Sequence, residues 1–95
     1  MKKLTELSLD AQYLGRSIFW MFNMKGQLRF FNIENRPTAR TQAALDELVK
    51  EGYLSVEPIN QGIGQMYRPL VEFKAPTKKM DREIGKGWVL TEPVK

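Results

Sequence analysis

The chain has no cysteine and no histidine. Without cysteine there is no disulfide framework, so stability must come from packing. A Cys/His zinc site is excluded, as are a cysteine nucleophile and a serine activated by a histidine base. No spacing of Asp, Glu or Lys suggests carboxylate or lysine chemistry in their place. Gly62-Ile63-Gly64 is the nearest approach to a Gly-rich phosphate loop. It lies between two strand-like runs, whereas a dinucleotide fingerprint needs a strand before it and a helix after it. The expectation is a protein that is not an enzyme, with no catalytic residue, metal, cofactor or small-molecule substrate.

Long apolar runs are also missing. The longest, Ile18 to Phe22, falls far short of the ~20 residues of a membrane span. Lys2 and Lys3 are followed by Glu6 and Asp10, where a signal peptide would need an apolar run. The expectation is a cytoplasmic protein without a membrane partner.

What is present suits one folded domain. Ninety-five residues leave no room for two stable cores, and 42% hydrophobic with 27% charged residues is ordinary for a globular chain. The formal charge is +4 and the pI about 9.5, inside the nucleic-acid range. The charge is unevenly spread. Residues 1–35 hold five Lys/Arg against three Asp/Glu, residues 36–74 hold five against five, and residues 75–95 hold five against three. The middle third is neutral.

Element boundaries come from periodicity. Ser8 or Asp10 can cap a first helix, and Ala11, Leu14, Ile18 and Met21 recur at helical steps on one face. Gln12, Arg16 and Asn23 fall opposite, and Gly26 is a natural stop. Tyr13, Trp20 and Met24, with Phe19 on the shoulder, form a flanking aromatic stripe. Such a stripe reads as core, or as a dimer or partner surface. Gln27 to Ile33 is a strand candidate and Asn32 to Pro37 a turn. Thr38 sits at an N-cap position before a helix over Ala39 to Gly52. Thr41, Leu45, Leu48 and Val49 face inward on it, Ala44 lies at an edge, and Arg40, Ala43, Asp46, Glu47 and Lys50 face outward. Leu54 to Asn60 and Gln65 to Lys74 read as a hairpin joined through Gly62 and Gly64. Pro58 and Pro69 confine these strands to an edge or bulge. Lys78 to Ile84 suggests two helical turns with Met80 and Ile84 inward and Gly85 as the stop, and Trp88 to Thr91 a short strand.

The run Ala44-Leu45-Asp46-Glu47-Leu48-Val49-Lys50-Glu51-Gly52-Tyr53-Leu54 resembles the end of a recognition helix entering the first wing strand of the winged helix-turn-helix superfamily. Leu7-Ser8-Leu9-Asp10-Ala11-Gln12-Tyr13-Leu14 is similar to first helices of plasmid and phage replication-initiator winged domains. The resemblance covers Leu9 to about Phe73. It departs in one place: only Ile33 to Pro37 is available where the superfamily has a second helix. It implies a small α+β, pared-down winged-helix-like core over residues 1–74. Residues 75–95 would be a basic C-terminal extension packed on the same domain.

Two functions stand as expectations. The resemblance and the basic pI imply binding of double-stranded DNA in bacterial or phage transcription or replication control. Arg36, Thr38, Arg40, Gln42 and Ala43 would then lie at the start of the reading helix, with Gln61, Gln65 and Arg68 on the wing. The alternative is a protein-binding module without DNA binding, such as a phage-encoded inhibitor of host or defence machinery, with a host protein as partner. Its interface would be Tyr13, Phe19, Trp20, Met24 and Ile63, and a homodimer is compatible with either reading. A strong DNA site neutralises on the order of 6–10 phosphates. Near the reading helix the cations are Arg36, Arg40, Lys50 and Arg68, opposed by Asp46, Glu47 and Glu51.

Overall fold

Two polar caps set the frame. The Ser8 side chain accepts from the Ala11 amide at 3.1 Å and starts α1 (Leu9–Arg16). Thr38 accepts from the Thr41 amide and starts α2 (Ala39–Lys50). Each side chain satisfies an amide that has no partner within its helix. Gly52 comes after α2 at φ 83°, a left-handed turn that glycine adopts without Cβ strain. The chain then enters the strand Leu54–Ile59 almost at once. In this computed structural model the described residues are 2–21, 28–31, 35–59 and 64–94.

The remaining elements in chain order are a 3-10 turn at Leu4–Glu6, β1 (Leu28–Phe31), β2 (Asn35–Pro37), β3 (Leu54–Ile59), β4 (Gly64–Pro69), α3 (Lys78–Met80) and β5 (Thr91–Pro93). β1, β4 and β3 form a three-stranded antiparallel sheet with β4 in the centre. β2 and β5 form a separate antiparallel pair. The result is a small α+β fold. The core joins Leu7, Ala11, Leu14 and Ile18 to Ala44, Leu45 and Leu48 of α2, with Tyr53, Leu54, Tyr67 and Phe73 from the sheet and the chain beyond it. α1 and the aromatic core approach so closely at Gly15 that an added Cβ would stand 2.6 Å from the Phe73 ring.

Several expectations are corrected. α1 does not run on as a regular helix: Ser17–Met21 continue it as a π-type turn. The wider turn changes the angular phase of these residues relative to α1. Ile18 stays fully buried, Phe19 packs against the core, and Trp20 turns outward at 43% exposure. Arg16, expected on the polar face, is buried at 8% because the chain near Ala75 returns over it, and its guanidinium donates to the Ala75 carbonyl. On α2 the buried residues are Thr41, Ala44, Leu45 and Leu48, with Val49 only partly covered. Glu47, expected outward, reaches back to accept from both the amide and the hydroxyl of Ser8 at 2.7 Å.

The hairpin is shorter on its second side than expected. β4 stops at Pro69, which has no amide to donate, and Leu70 instead donates to the Tyr53 carbonyl. Pro58 lies on β3, an edge strand of this sheet, where a missing donor costs little. The expected turn at Asn32 to Pro37 contains a strand, because Arg36 before a proline favours extended backbone and β5 supplies a pairing partner. The C-terminal strand is Thr91–Pro93 rather than Trp88 to Thr91. Trp88 stacks on Tyr13 with centroids 5.8 Å apart. α3 runs on as a π-type turn over Asp81–Gly85, with Met80 buried and Ile84 half-buried. The Gly26 stop, Gln27, residues 32–34, Met24 and the hairpin connection Asn60 to Ile63 lie outside the described residues. No helix among the described residues is long and apolar enough to cross a membrane.

Candidate binding surfaces

The entry to α2 is tied to the chain's own C-terminal segment. The Thr38 amide donates to the Leu90 carbonyl at 3.1 Å. The Thr38 hydroxyl lies 2.9 Å from the Val89 carbonyl and 2.9 Å from the Thr41 hydroxyl. The Trp88 indole donates to that same Thr41 oxygen at 2.8 Å. Thr41 is fully buried, and its hydroxyl is satisfied by the Trp88 indole together with the Thr38 hydroxyl.

Both arginines at this entry are neutralised. Arg36 on β2 pairs with Glu92 on β5 at 3.0 Å. Arg40 donates two bonds of 2.8 Å to the Asp10 carboxylate, and its guanidinium sits 4.3 Å from the Trp88 ring centroid. The Arg40 hydrogen bonds hold the Asp10 carboxyl below its ordinary range, against burial, which pulls the other way. Arg40 and Asp10 project from the first turns of α2 and α1, so the pair also pins the two helix starts together.

The rest of α2 faces the hairpin across an open groove of 450 Å³. Val49, Val56 and Tyr67 form its floor, and Gln42, Asp46, Lys50 and Gln65 its rim. Gln42 donates to Asp46 at 2.8 Å and to the Tyr67 hydroxyl at 3.3 Å, and that hydroxyl donates to Gln65 at 2.8 Å. Burial pushes the Tyr67 hydroxyl pKa up, which keeps it a neutral donor. Val56 is 39% exposed. The charges are balanced: Asp46 against Lys50 on α2, and Glu57 against Arg68 at 3.4 Å across β3 and β4.

No family model, no curated protein and no solved structure matches this chain.

The structure distributes the expected DNA contacts unevenly. Arg36, Thr38 and Arg40 are brought together at the α2 entry, each bonded within the chain. Gln42 and Gln65 meet around Tyr67 in the groove. Ala43 is exposed, Arg68 lies on β4 beside Glu57, and Gln61 is outside the described residues. Of the expected partner interface, Tyr13 is a core residue under Trp88 and Phe19 packs against Phe73. Trp20 is the exposed member, with its indole donating to the Phe73 carbonyl, while Met24 and Ile63 lie outside the described residues. Sequence reasoning missed Asp10, Trp88 and Glu92 as partners of the α2 entry. Asp10 is 30 residues from Arg40 and Glu92 is 56 from Arg36, and no local pattern reports such pairings.

A small cavity of 260 Å³ lies between Tyr13, Leu14, Ser17, Gly85, Trp88 and Leu90. It is below the ~300 Å³ at which ligand pockets begin. Among the described residues no three His, Cys, Asp or Glu side chains converge to hold a metal ion.

Proposed function

We propose that this chain is a non-enzymatic protein-binding module, winged-helix-like in outline, that presents the groove between α2 and the β3–β4 hairpin to a protein partner. The observation that carries this reading is that the α2 entry spends its hydrogen-bonding and charged groups within the chain. A helix that reads DNA contacts base edges with its N-terminal residues. Here those residues are occupied by Asp10, Trp88, Val89, Leu90 and Glu92. Reading DNA through this turn would require separating two ion pairs.

The groove itself has the composition of a protein contact. An apolar floor rimmed by amides and one charge of each sign suits a partner that buries a side chain between polar edges. Phosphate backbones need a surplus of cations instead, and the described residues of α2 and its hairpin carry none.

The test uses the full chain with two variants. Affinity capture from host lysate should recover a partner that Val56→Glu loses. Val56 is exposed, so the substitution leaves the core intact. In parallel, Arg36→Ala/Arg40→Ala should leave affinity for random duplex DNA unchanged. If the double variant abolishes DNA binding, or Val56→Glu retains every recovered partner, this reading is wrong.

A further inference from the structure

The structure assigns a nucleic-acid backbone contact to the outward face of α3 and the π-type turn after it, a surface separate from the groove. The segment 74–86 holds Lys74, Lys78, Lys79, Arg82 and Lys86 against Asp81 and Glu83. All five cations are exposed, and among the described residues none of them is in an ion pair. That distinguishes them from Arg36, Arg40 and Arg68, which each have a carboxylate within 4 Å.

Helical geometry gathers them. Lys78, Arg82 and Lys86 are spaced four residues apart, about one turn of α3 and the π-type turn that extends it, so they share one side. Lys86 keeps helical backbone angles at φ −68° and ψ −30°, so the row is continuous. Met80 is buried and Ile84 half-buried on the opposite side, which turns the cation row directly away from the core. The acids flank the row rather than interrupt it. Asp81 is directed toward α1, where its carboxylate hydrogen-bonds the Tyr13 hydroxyl. Gly85 lies against the same hydroxyl, and an added Cβ would stand 3.0 Å from it.

The character of this surface selects its partner. A membrane-surface helix needs an apolar face to insert, and here that face is packed inside the protein. A protein interface takes its energy from buried aromatic or aliphatic anchors, and none of the exposed large apolar residues falls between 74 and 87. Backbone phosphates require cations alone and no anchor. The surface therefore fits the phosphates of a nucleic-acid duplex, read without sequence preference.

The experiment measures binding of the full chain to a labelled random-sequence DNA duplex across a salt series. Three phosphate contacts, each contributing ~0.9 to the log–log slope, weaken binding about 40-fold between ~50 and ~200 mM salt. Lys78→Gln/Arg82→Gln/Lys86→Gln should remove most of the affinity and flatten the slope, with the circular dichroism spectrum unchanged. Glu83→Gln removes an opposing charge at the edge of the row and should tighten binding severalfold, a gain that a folding defect would not produce. Anionic phospholipid vesicles and polyglutamate serve as competing polyanions and should bind more weakly than the duplex. Absence of duplex binding at low salt, or full affinity in the triple variant, overturns the assignment. So does tighter binding to vesicles or polyglutamate. These outcomes do not depend on Val56 or the groove, so either proposal can fail alone.

Discussion

Arg40 is held by Asp10 through two bonds of 2.8 Å and lies against Trp88 at 4.3 Å. Both side chains of the ion pair keep a third or more of their surface in water, so the pair is worth about 0.5–1 kcal/mol, not the value of a buried bridge. Its pH dependence has a definite sign. The Asp10 pKa is depressed in the folded state, first by the Arg40 hydrogen bonds. An unfolded aspartate titrates near ~3.9. The stabilisation is therefore fully present above that value and disappears as pH falls through the lower folded value. Asp10→Asn should cost about 1 kcal/mol in urea unfolding at neutral pH. The wild-type and variant curves should converge in acid, where Asp10 is protonated in both states. A penalty that stayed constant down to strong acid would mean that the pair does not carry the effect.

At the scale of elements, β5 and Trp88 tie down the α2 entry, although β2 and β5 are only three residues each. So short a ladder needs side-chain support, and Trp88 supplies it through the Thr41 bond, the Tyr13 stack and the Arg40 contact. Trp88→Ala should lower stability by about 2–3 kcal/mol, less than a fully buried tryptophan would. At about 4–8 °C per kcal/mol for a domain this size, melting should fall by about 8–24 °C. Hydrogen exchange should quicken at the Thr38 amide and in β5 while β3 and β4 stay protected; a uniform loss would show that the tail is not a separable cover. This tie marks the limit of what is legible in the sequence. Ser8, Thr38 and Gly52 announce their roles because a cap or a stop acts within a few residues. The β3–β4 pairing is visible for the same reason. The β2–β5 ladder, the Arg16 burial and the phase change at Ser17–Met21 depend on contacts with distant chain, and periodicity carries no trace of them. The candidate site is the least legible part. Arg36, Thr38 and Arg40 do meet at the α2 entry, but the groups that occupy them come from α1 and the tail.

Over the whole molecule, charge is sorted between two surfaces. The groove face is balanced, and one of the chain's two cation-rich stretches forms the α3 segment, the other lying within residues 1–35. The two share no residue: the groove lies between α2 and the hairpin, while α3 packs toward Tyr13 of α1. The described part of the tail is tied to the domain through the β2–β5 ladder and the Thr38 and Thr41 bonds. On the two proposals together, the chain would suit a protein partner already on nucleic acid. There the weak phosphate contact acts at high effective concentration. This arrangement makes a prediction that neither surface makes alone. The partner recovered through the groove should bind more tightly when it is loaded on duplex than when it is free. Lys78→Gln/Arg82→Gln/Lys86→Gln should erase that gain while leaving affinity for the free partner unchanged. Val56→Glu should do the reverse, losing the partner while keeping weak duplex binding. Titrations of the partner with and without duplex, by calorimetry at fixed salt, would read both effects. If the triple variant weakened binding to the free partner as well, the α3 face would belong to the protein contact, and the division into two surfaces would fail.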